Sequence, residues 1–125
     1  MAKTLLEVAG IAAATTVPST TGADVGGKPT AMQLPPGTGR LDLTVRADYG
    51  AGATAGLTVD VFTSTDGVNW DTLPFATHGP TLSAGAAVQE TFQDDYTGIG
   101  WVAATARNTD ASVATGAVSV ALDGV

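Results

Sequence analysis

Leu57-Thr-Val-Asp-Val-Phe-Thr-Ser-Thr-Asp-Gly-Val-Asn-Trp70 is the stretch on which the fold reading rests. Its first half alternates. Leu57, Val59 and Val61 fall on one side of an extended chain, and Thr58 and Asp60 fall on the other. A period of two is the mark of a strand with one face buried. Asp66-Gly67 then supplies a tight hairpin turn, because glycine accepts the positive φ that such turns need. Trp70-Asp-Thr-Leu-Pro-Phe75 reads as the returning strand. Pro74 cannot donate a ladder hydrogen bond, so it marks an edge or a bulge there. Trp70, just past the turn, reads as a core anchor, and so does Trp101 at a strand start. Each ring buries about 150–250 Å² in such a position.

The same rhythm extends in both directions. Arg40-Leu-Asp-Leu-Thr-Val-Arg-Ala47 places Leu41, Leu43, Val45 and Ala47 on one face and Asp42, Thr44 and Arg46 on the other. Further strands are expected at 30–34, 86–92, 100–108 and 113–122. In the last of these, Val118, Val120 and Leu122 alternate with Ser119, Ala121 and Asp123. Turn chemistry separates them, as in Pro35-Pro36-Gly37, Tyr49-Gly-Ala-Gly and Asn108-Thr-Asp-Ala-Ser. No stretch has a convincing helical period. Seven or eight short strands with turn signals every ~8–12 residues predict an all-β chain, an antiparallel β-sandwich of immunoglobulin-like or jelly-roll-like form.

The amino-terminal region departs from this rhythm. Thr4-Leu-Leu-Glu-Val-Ala-Gly-Ile-Ala-Ala13 suits an extended arm or edge strand, with a short helix as the alternative. Residues 14–29 are rich in Thr, Ser, Gly and Pro, which is loop chemistry. Residues 1–29 are therefore read as an arm and loop, and 30–125 as the sandwich domain. The competing reading is a first strand followed by a long loop. As an arm, Leu5, Leu6, Val8 and Ile11 would be its contacts with another subunit, because an extended segment can add a strand to a neighbour's sheet edge.

The 125 residues fit one domain, and 44% of them are apolar, much of that Ala and Val. The net charge of −7 comes with five scattered basic residues, Lys3, Lys28, Arg40, Arg46 and Arg107. No basic run exists to neutralise phosphates, so no nucleic-acid partner is expected. The chain has no cysteine, which excludes disulfides, thiolate metal sites and thiol catalysis. Glu7 interrupts the only early apolar stretch, so no signal peptide is expected. No run approaches the ~20 apolar residues that span a bilayer as a helix. Assembly inside a cell follows as the expectation, with no membrane partner.

Catalytic candidates are few. His78 is the single histidine, in the turn-like Ala76-Thr-His-Gly-Pro80, and neither Ser64 nor Ser83 sits in a nucleophile motif. No enzyme activity and no cofactor are expected. Asp66, Asn69 and Asp71 could present oxygens around one turn, as could Asp94-Asp95, but neither cluster has EF-hand spacing. Turn capping is the reading for both, and no metal is expected. Among the aromatic residues, Tyr49 is the ring expected to be exposed, and so the candidate platform for a glycan.

Ser64-Thr-Asp-Gly-Val-Asn-Trp70 resembles an S-x-D-G-x-x-W pattern that follows an alternating strand in several β-sandwich families, discoidin-like carbohydrate-binding domains among them. It differs from the sialidase Asp-box, because Gly67 adjoins Asp66 and Asn69 precedes Trp70. Over about residues 30–122 the order of segments resembles the small β-sandwich virion proteins of tailed phages. The strand that often reads R-Y-V-R in that family is here Ile99-Gly-Trp-Val-Ala-Ala104, with Arg107 displaced. The resemblance implies a virion structural role, foremost a capsid decoration (cement) protein on the outer surface of the assembled head. Its implied partners are the major capsid protein and further copies of itself, with a trimer as one arrangement. A neck or tail component is the alternative within the virion. A carbohydrate-binding or adhesion module is the alternative outside that class. Chelating calcium from the purified protein is expected to leave its melting temperature unchanged. A fall in that temperature would reveal a bound ion.

Overall fold

The alternating segments form two antiparallel sheets. A computed structural model describes residues 3–17, 31–97 and 100–125. Among them are nine strands: β1 (Lys3–Val8), β2 (Thr16–Val17), β3 (Met32–Gln33), β4 (Arg40–Asp48), β5 (Leu57–Ser64), β6 (Ala76–His78), β7 (Ala87–Asp95), β8 (Trp101–Asn108) and β9 (Val118–Gly124). One sheet has the order β1-β9-β4-β7. The other has the order β2-β8-β5-β6, with β3 also pairing with β8. The architecture is the β-sandwich that the alternation predicts. No helix among the described residues is long and apolar enough to cross a membrane.

The core lies between the sheets and is built from the positions that the period of two selects. Leu41, Leu43, Val45 and Ala47 of β4 and Val118, Val120 and Leu122 of β9 come from one sheet. Leu57, Val59 and Val61 of β5 and Val102, Ala104 and Ala106 of β8 come from the other. All are buried. Each fully buried Val or Leu side chain contributes roughly 1.5–3 kcal/mol over leaving it in water.

The outer sides of the two sheets differ. On the four-stranded sheet the outward residues are polar, such as Thr44 and Thr91, whose hydroxyls are 3.0 Å apart. The five-stranded sheet is covered. Phe62 and Ala103 point away from the main core and form a second cluster with Trp70, against which Ala31 and Trp101 pack. Trp70 is thus a buried anchor, as expected, but it closes the outer face of β5 and β8 and does not enter the inter-sheet core.

Three sequence expectations need correction. First, the amino-terminal segment is no free arm. β1 pairs with β9 of the same chain from Lys3↔Leu122 to Val8↔Val118. Leu5 and Ile11 are core residues, and Leu6 and Val8 pack against that core. The register slips between Thr4 and Leu6, a bulge that lets the successive residues Leu5 and Leu6 both serve the core side. A boundary at residue 29 therefore fails for residues 3–17, which belong to the sandwich. The rest of the expected loop, 18–29, lies outside the described residues.

Second, Trp70–Phe75 is not the returning strand. Asp71 N–H bonds to Thr63 O at 3.1 Å and Phe75 N–H to Val61 O at 2.7 Å, so the chain does come back alongside β5. Thr72, Leu73 and Pro74 bulge out between these two bonds, and regular pairing begins only at β6. Pro74 has the place its missing N–H predicts. Third, His78 is in β6 and not in a turn.

Leu5→Ala is expected to cost about 2–5 kcal/mol, the range for emptying a core leucine site. Urea unfolding followed by tryptophan fluorescence measures it. A free arm would show almost no change.

Candidate functional site

The two ends of the sandwich are built differently. At one end the loops after β1, β4, β6 and β8 meet, and buried polar side chains lock them together. Tyr49 is only 2% exposed, which corrects its expected place on the surface. Its hydroxyl donates to Pro80 O at 2.7 Å and accepts from Leu57 N–H at 3.1 Å. Burial pushes this phenol above its ordinary pKa, against the opposing pull of the Leu57 N–H. Tyr49 is a loop strut and offers no platform to a glycan.

Asn108 and Asp110 complete that end. Asn108 Nδ2 donates to the carbonyls of Ile11, Ala12 and Val113, and its Oδ1 accepts from Asp110 N–H. The Asp110 carboxylate is buried. It accepts from the N–H groups of Thr54 (2.7 Å), Ala55 (3.1 Å), Ser112 (2.9 Å) and Val113 (2.9 Å). This side chain ties the β4–β5 loop to the β8–β9 loop. The N–H bonds from Ser112, Thr54 and Val113 hold its carboxyl well below the usual carboxylate range.

The opposite end carries residues 65–75, which contain the Asp66-Gly67 turn. The polar groups of Ser64, Asp66 and Asn69 are used by the loop itself, while Trp70 Nε1 is buried without a hydrogen-bond partner. Asp66 Oδ1 accepts from Val68 N–H and Asn69 N–H, both at 2.8 Å, and Oδ2 accepts from Asn69 Nδ2 at 2.9 Å. The Asn69 and Val68 N–H groups are the main cause of a carboxyl held well below its usual range. Ser64 Oγ accepts from Gly67 N–H at 2.9 Å and gives its one proton to Asn69 O at 2.6 Å. Gly67 has φ +75, and a Cβ there would press on the Trp101 ring at 3.0 Å. Five residues of the motif thus have a structural task. Ser64 and Asn69 close the turn, Asp66 caps it, Gly67 seats it on Trp101, and Trp70 lids the sheet below.

The oxygens of Asp66 are spent on this loop and do not converge on a cation. No group of three or more His, Asp or Glu side chains among the described residues could hold a metal ion. His78 lies between the two sheets' edges. Its Nε2 is 2.7 Å from Asp94 Oδ2, and its ring stacks on Phe92 with centroids 4.5 Å apart. β6 and β7 are edge strands of opposite sheets, so this pair closes one seam of the sandwich.

Apart from Trp70, the loop's large apolar side chains are left outside. Val68 is 72% exposed, Leu73 78% and Phe75 42%. Phe75 meets Tyr96 edge-on with ring centroids 5.6 Å apart. Shallow clefts flank Phe75, one against Thr72, Leu73 and Pro74, the other against Thr65, Tyr96 and Thr97. Thr63 and Asp71 border both, joined by a 2.9 Å hydrogen bond. Sequence reading named none of Val68, Leu73 or Phe75 as surface contacts. The available signal was Leu73-Pro74-Phe75, apolar residues in a segment that cannot pair as a strand. A separate cleft on the four-stranded sheet lies among Glu7, Val8, Arg46 and Ser119.

The chain matches no protein-family description and no curated protein. Among solved structures it is similar to a protein of the Bacillus endospore appendages, described as a novel family of disulfide-linked pili. That likeness has 12% identity and a TM-score of 0.40 and covers 100% of this chain and 88% of the other. It is also similar to a chain of the T13 IBDV viral particle, with 12% identity and a TM-score of 0.37. There it covers 98% of this chain and 30% of that one. At those scores neither likeness bears on activity or partners.

The low carboxyl pKa values set a pH dependence. A carboxylate held below its unfolded value of about 4 stabilises the fold at higher pH, and that contribution is lost as pH falls below ~4 toward the folded value. The urea midpoint is expected to drop progressively below that pH. Asp110→Asn should lower the midpoint at neutral pH and flatten its decline in acid.

Proposed function

We propose that this chain is a structural protein of a tailed-phage virion, and specifically a capsid decoration protein. In this reading it is made in the host cytoplasm and binds the outer surface of the assembled head. Its partners are the major capsid protein and neighbouring copies of itself, a trimer being one arrangement. It needs no cofactor and performs no catalysis.

The observation that carries the reading is the division of labour within residues 64–75. This segment contains Ser64–Trp70, the specific motif within the resemblance over about residues 30–122 to the phage virion proteins. The polar groups of Ser64, Asp66 and Asn69 are consumed in fixing the loop's shape, while Val68, Leu73 and Phe75 stand exposed on it. A rigid scaffold with apolar side chains held in water suits contact with another protein surface. Binding only the assembled shell would stabilise that shell by linkage, in proportion to occupancy. The contact region differs from the one expected of an arm, since Leu5 and Ile11 are committed to this chain's own core.

Quantitative mass spectrometry of purified virions from the phage encoding the chain tests the proposal. A copy number comparable to that of the major capsid protein is the expected result. Copies sufficient for a single ring would move the protein to the neck or tail. Absence from the particle would sink the virion reading.

A further inference from the structure

We propose that the exposed tip of the β5–β6 loop, formed by Val68, Leu73 and Phe75, docks into an apolar recess bordered by lysine or arginine side chains on the major capsid protein. The inference rests on the virion reading above and names the surface and the chemistry through which it would operate.

The apolar part of the argument is exposure without a local purpose. Leu73 lies at the middle of the Thr72–Pro74 bulge, outside the β5 ladder, and neither core cluster includes it. Val68 follows the Asp66-Gly67 turn, where its N–H is used by Asp66 and its side chain is in water. Phe75 is half-buried and braced by the edge of Tyr96, so its ring is already held in place. Pro74 and the bonds from Asp71 and Phe75 to β5 fix the backbone between them. The Phe75 ring, pre-ordered in this way, loses little entropy on docking.

The charge pattern selects the occupant. From Ala47 to Ala106 the sequence has no lysine or arginine, yet it has Asp48, Asp60, Asp66, Asp71, Glu90, Asp94 and Asp95. Of these, Asp66 and Asp71 belong to the loop itself. Of the basic residues in the sheets, Arg107 is paired with Asp60 at 2.9 Å and Arg40 with Asp42 at 2.8 Å, Lys3 Nζ donates to Ala31 O at 3.3 Å, and Arg46 borders the cleft on the four-stranded sheet. The patch is thus apolar, with the exposed Asp66 and Asp71 as its carboxylate rim. A second copy would bring the same negative rim against it, which repels. A basic-rimmed recess on a different protein is attracted and steered toward it.

The test measures binding of the full chain to shells assembled from the major capsid protein of the same genome. Wild type, Val68→Ser/Leu73→Ser and Asp71→Asn are compared at about 0.05 M and about 0.5 M salt. Both substituted side chains of the double variant are in solvent, so its melting temperature should stay close to that of wild type. The expected result is binding at least about tenfold weaker for the double variant, a loss typical of central interface contacts. Asp71→Asn should bind more weakly at low salt and depend less on salt. Equal binding of the folded double variant would overturn the inference and leave the decoration reading standing. No binding by wild type would overturn both. Sedimentation showing wild-type self-association that the double variant loses would assign the patch to a second copy. Glycan-array binding that Phe75→Ala abolishes without affecting shell binding would assign it to a sugar. Either result would also overturn the inference.

Discussion

Val45 and Val120 lie opposite one another in the middle of the four-stranded sheet, and both are fully buried. The molecule depends on what that pair represents, a strict alternation in which every second side chain of β4 and β9 is given to the space between the sheets. A slip of one residue in either strand would exchange Leu43, Val45, Leu122 and Val120 for Thr44, Arg46, Ala121 and Ser119 on the core side. Once that register is set, β1 and β7 have only the two flanks of the β9–β4 pair to occupy. The sheet with β5 and β8 at its centre must then supply the other half of the core.

The five-stranded sheet meets a second demand. At the end next to the β5–β6 loop, β5 and β8 carry apolar or small residues on both faces, with Phe62 and Ala103 outside, so that part of their outer face also needs cover. The loop after β5 provides it, with Trp70 laid over Phe62 and Ala103 and Gly67 fitted against Trp101. Shape and exposure in this loop have one cause. A turn that must place Trp70 back on the sheet spends its polar groups on internal bonds. The bulge that returns the chain to β6 leaves Leu73 outside. The proposed contact surface is a by-product of covering the sheet.

Much of this was legible in the sequence, and the failures have physical causes. β4, β9 and the first half of β5 could be read because one clean period of two fixes both the element and its buried face, whereas β8 was read as a strand without its faces. β1 was ambiguous because its bulge breaks that period at Leu5 and Leu6. Trp70 was rightly read as buried but placed in the wrong layer. The size of a side chain predicts burial, and it does not say which face of a sheet the following loop will cross. Tyr49 looked exposed because glycines follow it, while the partner that buries its hydroxyl, Pro80, is 31 residues away. The three exposed apolar residues were missed because single apolar side chains in a turn carry no periodic signal.

The position of β9 has a consequence for how the chain acquires its structure. β9 lies between β1 and β4, so the four-stranded sheet cannot close until residues 118–124 have threaded between segments that precede them by more than a hundred and by about seventy positions. Such closure loses chain entropy before any contact repays it. Folding is therefore set by distant pairings and belongs to the millisecond-to-second regime of β-sandwiches. Until β9 arrives, the edge of β4 is open and Leu5 has no core to enter. The interval between synthesis and insertion of that strand is when the protein is most exposed to wrong partners.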